Sequence, residues 1–319
     1  MTVLKEVQPR VHALTGGLFA NWLPPDQVEV GDYGVITRER FQRDGNLRNW
    51  NIACEIETPG KADGKLEYSD RVQVQAGAAL KAGAQVPGQK SPKASAKISF
   101  KGQGAFLYHL SGITSRRLAN SRTFYEELAC KWLAGEVRLE ENSVIVNEIR
   151  VADKATIIVS EGHEGSLELQ GDFSLNGQAV LADVKGGLSV SASTGSLFQW
   201  LAADGTIPII SLIRPVMGPP DGGPTSPGGV AAVLTRVRNL FRKGRWDIRI
   251  IQLRGFSETP AVITVTAELP NGEIVAVGFH AIDAAEFLSL NEYVAEATTF
   301  VVDNVEEEDL GRGQAAASA

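Results

Sequence analysis

The sequence predicts an α+β fold in which long amphipathic β-hairpins and a few helices precede a small C-terminal α+β domain. Two stretches of the chain alternate between apolar and polar residues on both sides of a turn, as antiparallel hairpins do. Three other stretches place apolar residues at helical spacing. A segment rich in proline and glycine, 217–229, separates the longer N-terminal part from the C-terminal one.

Three helices are expected. Apolar residues recur at helical spacing over 3–14, although Pro9 lies inside this run. The second helix, 121–134, begins at the suitable N-cap Ser121. The third helix, 230–243, is basic on one side and apolar on the other. The apolar side consists of Val233, Leu234, Val237, Leu240 and Phe241.

The first alternating stretch is 71–110. Its even-numbered positions are apolar from Val72 to Val86, and the pattern resumes at Ala94 after a turn that begins at Pro87-Gly88. Polar or small residues occupy the odd-numbered positions. We therefore expect an antiparallel hairpin with one wet face and one dry face.

The second alternating stretch, 165–192, reverses at Asn176-Gly177. Globular strands usually have about 5–6 residues, whereas each limb of the two hairpins has room for about 15. A membrane-spanning strand needs about 9–11 residues, so length permits these hairpins to cross a bilayer. A plain one-sided sheet covered by helices produces the same alternation, and both interpretations stay open.

The C-terminal part predicts a small α+β domain with a hairpin turn at Asn271-Gly272. Its expected elements are strands at 246–253, 261–269, 273–282 and 298–302 and a short helix at 284–293. The chain accordingly divides into an N-terminal part over 1–216, an exposed linker over 217–229, a C-terminal domain over 230–306 and a disordered tail over 307–319.

Charge and composition exclude several classes of protein. The 31 Lys and Arg against 38 Asp and Glu give a net charge of −7, which argues against a nucleic-acid partner. Two cysteines are too few for a disulfide scaffold or a cysteine-based zinc site. No apolar stretch reaches the roughly 18 residues of a transmembrane helix, and the N-terminus lacks a signal-peptide core, so we expect a cytoplasmic protein.

No catalytic constellation emerges, so we expect no enzyme, no metal and no cofactor. Glu161-Gly162-His163-Glu164 contains metal-binding residue types but has no second ligand set nearby. Gly88-Gln89-Lys90-Ser91 approaches a phosphate-binding loop, but Gln89 interrupts the required Gly-Lys pair. The four histidines are scattered along the chain at His12, His109, His163 and His280.

Basic residues follow the wet face and tip of the first hairpin, where each could contribute about 1 kcal/mol to binding anionic lipid headgroups. Lysines also protect exposed strand edges from pairing, so that alternative stays open. The basic helix 230–243 suits a membrane surface too, although its apolar stripe favours packing on the N-terminal part. The candidate headgroup-binding residues are Lys81, Lys90, Lys93, Lys97 and Lys101, with Arg116 and Arg117 expected at the start of the second helix.

Several short motifs occur in a fixed order between residues 65 and 213. They are Tyr68-Ser69-Asp70, the strand-like run Val144-Ile145-Val146-Asn147-Glu148-Ile149, the triplet Glu164-Gly165-Ser166, the run Gly171-Asp172-Phe173-Ser174-Leu175-Asn176-Gly177, and Gly187-Leu188-Ser189 followed by Thr194 and Leu197-Phe198. In order and spacing these motifs resemble the pore-forming domain of the gasdermin family. The helix at 121–134 lies between the two hairpins, as it does in that family.

The resemblance implies a twisted antiparallel sheet with surrounding helices. It also implies a protein held inactive by its C-terminal part, released by a protease in the linker, and then assembled with other copies into β-lined pores in anionic membranes. Such a protein is cytoplasmic when inactive and acts at the inner face of the cell membrane. Bacterial members cause cell death in antiviral defence. The alternative is a non-enzymatic, soluble β-rich interaction or scaffold protein.

The resemblance and the alternation together assign roles to particular residues. The expected membrane-inserting residues are Val72, Val74, Ala78, Leu80, Ile98, Phe100, Phe106, Leu167, Leu169, Phe173, Val184, Leu188 and Val190. Cleavage is expected in the linker around Asp221, Gly222, Gly223 and Thr225. Autoinhibition is expected from the apolar side of helix 230–243.

Overall fold

The computed structural model of the chain describes residues 3–22, 27–59, 66–70, 72–76, 94–119, 121–171, 174–176, 180–182, 189–195, 197–218, 249–255, 262–269, 272 and 274–290. Helix 230–243, strand 298–302, the tail 307–319 and most of the predicted linker lie outside these residues. The structure therefore does not test the predictions for those segments.

Three α-helices and one 3₁₀ helix, Leu47–Trp50, lie within the described residues; the α-helices are α1 (Val3–Thr15), α2 (Ser121–Leu133) and α3, which is described over 284–290. Helix α1 forms despite Pro9 because its face bearing Val7 and Val11 is fully buried. Helix α2 ends where Gly135 adopts a positive φ of 74° and its amide donates to the Trp132 carbonyl. The helices predicted at 3–14, 121–134 and 284–293 are thus confirmed where they are described.

Strands dominate the described chain. They are β1 (Phe19–Ala20), β2 (Asp32–Thr37), β3 (Arg40–Asn46), β4 (Ile56–Glu57), β5 (Leu66–Asp70), β6 (Val72–Ala76), β7 (Ala94–Lys101), β8 (Phe106–Ser111), β9 (Thr114–Leu118), β10 (Val144–Ser160), β11 (Glu164–Gly171), β12 (Ser174–Asn176), β13 (Val180–Ala182), β14 (Ser189–Thr194), β15 (Leu197–Gly218), β16 (Arg249–Gly255), β17 (Val262–Glu268) and β18 (Ile274–Ala281). Among the described residues the largest sheet has 12 strands, and a separate sheet has four. A sheet-dominated α+β fold with antiparallel pairing is therefore confirmed.

The chain forms two compact units, each assembled from separate stretches. Unit 1 comprises Met1–Val30, Ile56–Leu118 and Glu148–Ser211, and unit 2 comprises Gly31–Glu55, Ala119–Asn147 and Leu212–Ala319. The predicted division at residue 216 into a pore-forming and a regulatory part concerns function and stays a prediction.

In unit 1, β8 pairs with β5 on one side and with β10 on the other. Helix α1 covers this layer, and two hydrogen bonds between the Gln8 side chain and the Ala20 backbone, of 3.1 and 3.2 Å, fasten the helix to β1. The core between them contains Val7, Val11, Leu18, Ala20, Trp22, Phe106, Tyr108, Leu110, Ile113, Ala152, Ala155, Ile157, Val159 and Ile209. Helix α1 is thus an integral part of the core of unit 1.

In unit 2, β16, β17 and β18 form an antiparallel meander, and β18 pairs with the end of β15. The register pairs Glu268 with Ile274, which confirms the hairpin predicted at Asn271-Gly272. Helix α2 contacts the meander through the Tyr125 ring, whose centroid lies 4.9 Å from that of Phe279.

One correction concerns the start of the predicted linker. Met217 and Gly218 are the last residues of β15, and Met217 is 1% exposed. They pair with Val277 and Ala276 of β18, so the backbone hydrogen bonds of a sheet hold the first two positions that composition assigned to an exposed linker.

A buried hydroxyl group in the core of unit 1 gives a stability prediction. Tyr108 is fully buried against Trp22 and Phe106, and its hydroxyl has no hydrogen-bond partner among the described residues. Burial also raises the pKa of Tyr108 well above its ordinary value. We expect Tyr108→Phe to leave the free energy of unfolding unchanged or to raise it by about 1 kcal/mol, because it removes an unsatisfied polar group.

Urea unfolding of the full chain measures this effect, and Thr15→Val is the matched control. The Thr15 hydroxyl donates to the Leu18 carbonyl at 2.8 Å, so its removal is expected to lower the free energy of unfolding by about 1 kcal/mol. A loss of similar size for Tyr108→Phe would mean that the hydroxyl has a partner after all.

Candidate functional site

Strands from both predicted hairpins pair with each other in one four-stranded sheet. Its strand order is β14-β11-β7-β6, and we call it the hairpin sheet. Strands β6 and β7 pair antiparallel across the first predicted turn, and β11 and β14 pair antiparallel across the second. Beyond β11, β12 pairs with β13 around residues 177–179, which include the predicted turn residue Gly177.

One face of the hairpin sheet is apolar and buried, as the alternation predicts. Ile98 is 0% exposed, Phe100 2% and Leu167 1%. Ile98 pairs with Leu167 on one side and with Val74 on the other, so these positions share a face. Val72, opposite Phe100, is half-buried. The apolar face is therefore continuous across the three strands β6, β7 and β11.

The opposite face is polar, but its charges are balanced between strands. Lys97 and Lys101 are exposed on this face, and the register places Glu168 opposite Lys97 and Glu164 opposite Lys101. Opposite charges directly across an antiparallel pair stabilise it by about 0.2–1 kcal/mol. The two predicted headgroup-binding lysines thus have carboxylates as their nearest cross-strand neighbours, which offsets their attraction for an anionic surface.

The two edge strands of the hairpin sheet carry no charge over the residues that the structure describes. Strand β6 reads Val-Gln-Val-Gln-Ala, and strand β14 reads Ser-Val-Ser-Ala-Ser-Thr. Within the four described strands, all the charged residues lie in the central strands β7 and β11. Natural sheets usually place lysine, proline or other charges on edge strands to prevent pairing with another chain. The hairpin sheet has the reverse distribution.

The structure corrects the prediction for Phe106. The alternation extends the first hairpin to residue 110, but Phe106 lies in β8 and packs in the core beneath α1. Every residue from Ala105 to Leu110 is buried, including His109 at 2%, so β8 has no wet face. Phe106 is therefore a core residue of unit 1 in this conformation and is not part of the apolar face of the hairpin sheet.

The structure also corrects the position of two arginines. Arg116 and Arg117 lie in β9 and not at the start of α2, and both are exposed. Arg117 forms an ion pair with Glu57 of β4, and Arg116 lies opposite Ile149 of β10. These arginines belong to a different sheet from Lys97 and Lys101, so the predicted basic residues do not share one strand surface.

The remaining predicted positions fall into two groups. Val74, Leu169 and Val190 lie in β6, β11 and β14, and their side chains are not described. Outside the described residues lie Lys81, Lys90, Lys93, Ala78, Leu80, Phe173, Val184, Leu188, the cleavage positions Asp221, Gly222, Gly223 and Thr225, and the autoinhibitory residues Val233, Leu234, Val237, Leu240 and Phe241.

Sequence reasoning missed a charged cluster in unit 2, which we call the Glu286 cluster. The Glu286 carboxylate accepts a hydrogen bond of 2.7 Å from Arg214 Nη1 and lies 2.8 Å from His280 Nε2. Arg214 also donates through Nε to the Glu141 carbonyl at 3.1 Å. The cluster joins β15, β18 and α3 and leaves about a fifth of each side chain exposed.

The Glu286 carboxylate is held in its ionised form. Burial acts to raise the pKa of Glu286, but hydrogen bonds from His280 and Arg214 outweigh it, and the net effect is a lowered pKa. Arg214 lies directly opposite His280 in the β15–β18 register. The cluster is therefore an ion-paired anchor for helix α3, which carries Glu286.

The described residues hold few groups suited to metal binding or to nucleophilic catalysis. They contain no cluster of three or more His, Cys, Asp or Glu side chains that could bind a metal ion. Cys54 is buried, and desolvation raises its pKa to about 11, so its thiol is a poor nucleophile. None of the helices described is both long and apolar enough to span a bilayer.

Comparison with known proteins adds no assignment. No protein-family model matches the sequence, and no curated protein matches it either.

Proposed function

We propose that the protein is a gasdermin-like pore-forming effector. The observation that carries this proposal is the hairpin sheet: an antiparallel sheet with one continuous apolar face, one polar face and two edge strands that are uncharged over their described residues. A β-lined pore requires strands with this alternation, because one face meets lipid and the other meets water. The order of the gasdermin-like motifs along residues 65–213 supports the same function.

Assembly with other copies would use the edges. An uncharged edge strand presents backbone N–H and C=O groups to any second strand that approaches. If the β6 edge of one copy pairs with the β14 edge of the next, the polar and apolar faces continue from copy to copy. The central Lys–Glu pairs would then lie on the water-filled side, where their charges balance each other without contact with lipid headgroups.

Activation would follow the route that the resemblance to gasdermins implies. The C-terminal part restrains the N-terminal part in the cytoplasm, and a protease cuts between Asp221 and Thr225. Cutting turns an intramolecular contact, at an effective concentration near millimolar, into a contact that dissociates at cellular concentrations. The released part would then bind anionic lipids at the inner face of the membrane, assemble, and cause cell death.

The test uses the full chain with a specific protease site inserted between Asp221 and Thr225. We expect the uncut protein to be inert and the cut protein to release dye from anionic vesicles, whereas wild type treated with the same protease stays inert. Cleavage is preferable to truncation at Val216, because β15 continues through Gly218. Absence of leakage from the cut protein, with vesicles of any charge, would exclude pore formation.

A second candidate is a non-enzymatic interaction protein with a permanent hairpin sheet. The balanced Lys–Glu pairs on its polar face favour this reading, since they suit a sheet that stays in water. Hydrogen exchange separates the two functions. A permanent sheet protects the amides of β7 and β11 as strongly as those of β8 and β10, whereas a sheet that rearranges on activation exchanges faster.

A further inference from the structure

Two chain segments connect the hairpin sheet to strands β8 and β10, and they lie side by side. Residues 102–105 link β7 to β8, and residues 161–163 link β10 to β11. The Gly102 amide donates to the His163 carbonyl at 2.7 Å, and the Gly104 amide donates to the Ser160 carbonyl at 2.8 Å. We call this pair of segments, from Gly102 to Ala105 and from Ser160 to His163, the joint.

The strand pairs on the two sides of the joint are in the same register. Lys101 pairs with Glu164 before the joint, and Phe106 pairs with Val159 after it. Five positions separate the paired residues on each strand. The β7–β11 pair and the β8–β10 pair are therefore two halves of one antiparallel ladder that is interrupted at the joint.

A straightened joint would make this ladder continuous. Ala94 to Ser111 would then lie opposite Gly171 to Lys154 without any slip between the two strands. At about 3.4 Å per residue such a strand pair is roughly 60 Å long, which exceeds the hydrocarbon core of a bilayer. Phe106 has the same parity as Ile98 and Phe100, so in the straight form the three side chains would share a face.

Glycine allows the joint to adopt both forms. Gly102 has a φ of 109° and Gly104 a φ of 70°, a region that other residues rarely adopt. A continuous strand requires negative φ at both positions, and glycine tolerates that equally well. The two glycines of the bend can therefore also adopt the extended conformation that a straight strand requires.

The strands on the outer side of β7 and β8 set one condition for straightening. A single residue separates β5 from β6, yet the register of β5 with β8 differs by four residues from that of β6 with β7. A continuous ladder would shift one of these pairings by four positions. An even shift keeps every side chain on its original face, so the apolar face survives it.

One side chain from α1 holds the joint. The Arg10 guanidinium donates a hydrogen bond from Nη2 to the Gly104 carbonyl and lies 5.3 Å above the centre of the Phe106 ring. Its Nε donates to the Glu6 carbonyl at 3.3 Å. Helix α1 is itself fastened to β1 through Gln8, so Arg10 connects the joint to the rigid core of unit 1.

We propose that Arg10 is a positioning residue that locks the joint in its bent form, and that loss of the Arg10–Gly104 contact permits the joint to straighten. The lock rests on the geometry of unit 1 alone. Its consequence for membranes rests on the proposed pore-forming function. In a pore-forming protein, the contact that α1 makes through Arg10 sets how readily the hairpin sheet extends after cleavage.

The test compares hydrogen exchange in the uncut full chain of wild type and Arg10→Gln. We expect the amides of Gly102, Gly104 and Ser160 to exchange about tenfold faster or more in the variant, since a charged hydrogen bond to the joint is lost. The amides of the β8–β10 ladder are expected to keep their wild-type rates. Arg10→Lys retains the donor but not the planar guanidinium, and an intermediate rate is expected.

Two further variants complete the comparison. Arg122→Gln on α2 removes an equal charge from an exposed ion pair and is expected to leave the joint unchanged. Gly104→Ala places a Cβ 2.8 Å from Arg10 Nη2 at a positive φ, so the joint is expected to open without loss of charge. Unchanged exchange at the joint in Arg10→Gln, or equal acceleration throughout unit 1, would overturn the lock.

Vesicle leakage then separates the lock from the pore. The cut Arg10→Gln protein is expected to release dye faster than the cut protein with Arg10 intact. Local opening of the joint without leakage from either cut protein would keep the lock and exclude the pore. Leakage at equal rates from both, with an opened joint, would show that the joint does not limit insertion and would overturn the role of Arg10 as a threshold.

Discussion

Ile98→Asp is expected to destabilise the fold by about 4 kcal/mol or more and to abolish membrane activity, whereas Ser99→Asp is expected to do neither. Ile98 is 0% exposed and lies between Leu167 and Val74 in the register, so an aspartate there is a buried carboxylate among apolar groups. Ser99 lies on the opposite, polar face of β7, where the charges of Lys97 and Lys101 and of the facing Glu164 and Glu168 balance, so an added carboxylate has little effect there.

A third variant distinguishes a folding defect from a membrane defect. Val72 lies on the same face as Ile98 but is only half-buried at the edge strand β6, so Val72→Asp is expected to retain the fold at a smaller cost. Urea unfolding measures stability, and dye release by the cut chain measures activity. A folded Val72→Asp protein that leaks vesicles as well as the unsubstituted cut chain would contradict the assignment of this face to lipid.

The alternation of the sequence predicted the hairpin strands but gave no sign of the break between β7 and β8 at the joint. Ile98, Phe100, Phe106 and Tyr108 all occupy even positions, and an even number of link residues preserves this parity across the break. Parity alone therefore predicts one strand where the structure has two. The two glycines at 102 and 104 were the available signal, because glycine inside a strand pattern often marks a bend.

The long strands β10 and β15 were not predicted at their full length for a different reason. The residues from Ala155 to Ser160 are all buried, so this part of β10 has no polar face and produces no alternation. The same holds for β15 from Pro208 to Ile213. The pattern that predicts a one-sided strand does not extend to a strand that is covered on both sides.

The Glu286 cluster could not be predicted from spacing. Arg214, His280 and Glu286 come from two strands and a helix, and Arg214 lies 72 residues before Glu286. Only the pairing of β15 with β18 brings Arg214 opposite His280. Contacts of this kind depend on the tertiary fold, whereas hairpin alternation depends on neighbouring residues alone.

Glu286→Gln is expected to lower the free energy of unfolding by about 3 kcal/mol near neutral pH, and this difference from wild type is expected to vanish in acid. The substitution removes the charge that pairs with Arg214 and His280, whose side chains are 21% and 18% exposed, and leaves the Arg214 guanidinium without its carboxylate. The cost exceeds that of an exposed pair because water replaces the lost contact only in part.

The sign of the pH dependence follows from the lowered pKa of Glu286. A carboxylate whose pKa is lower in the folded state than in the unfolded state stabilises the fold at any pH above its unfolded value. That stabilisation is lost as the pH falls through the folded-state pKa, which is lower than the ordinary pKa of glutamate. Protonated Glu286 then resembles glutamine in charge, and the two proteins become equally stable.

Urea unfolding of both proteins at neutral pH and at several acidic values measures the difference, and effects of acid on other groups cancel between them. Glu57→Gln is the control, because Glu57 and Arg117 are about half exposed and such pairs contribute about 0–1 kcal/mol. Equal stability of wild type and Glu286→Gln at neutral pH would show that the cluster does not anchor α3. A difference that persists in strong acid would assign the effect to packing of the side chain, because the charge is then absent from both proteins.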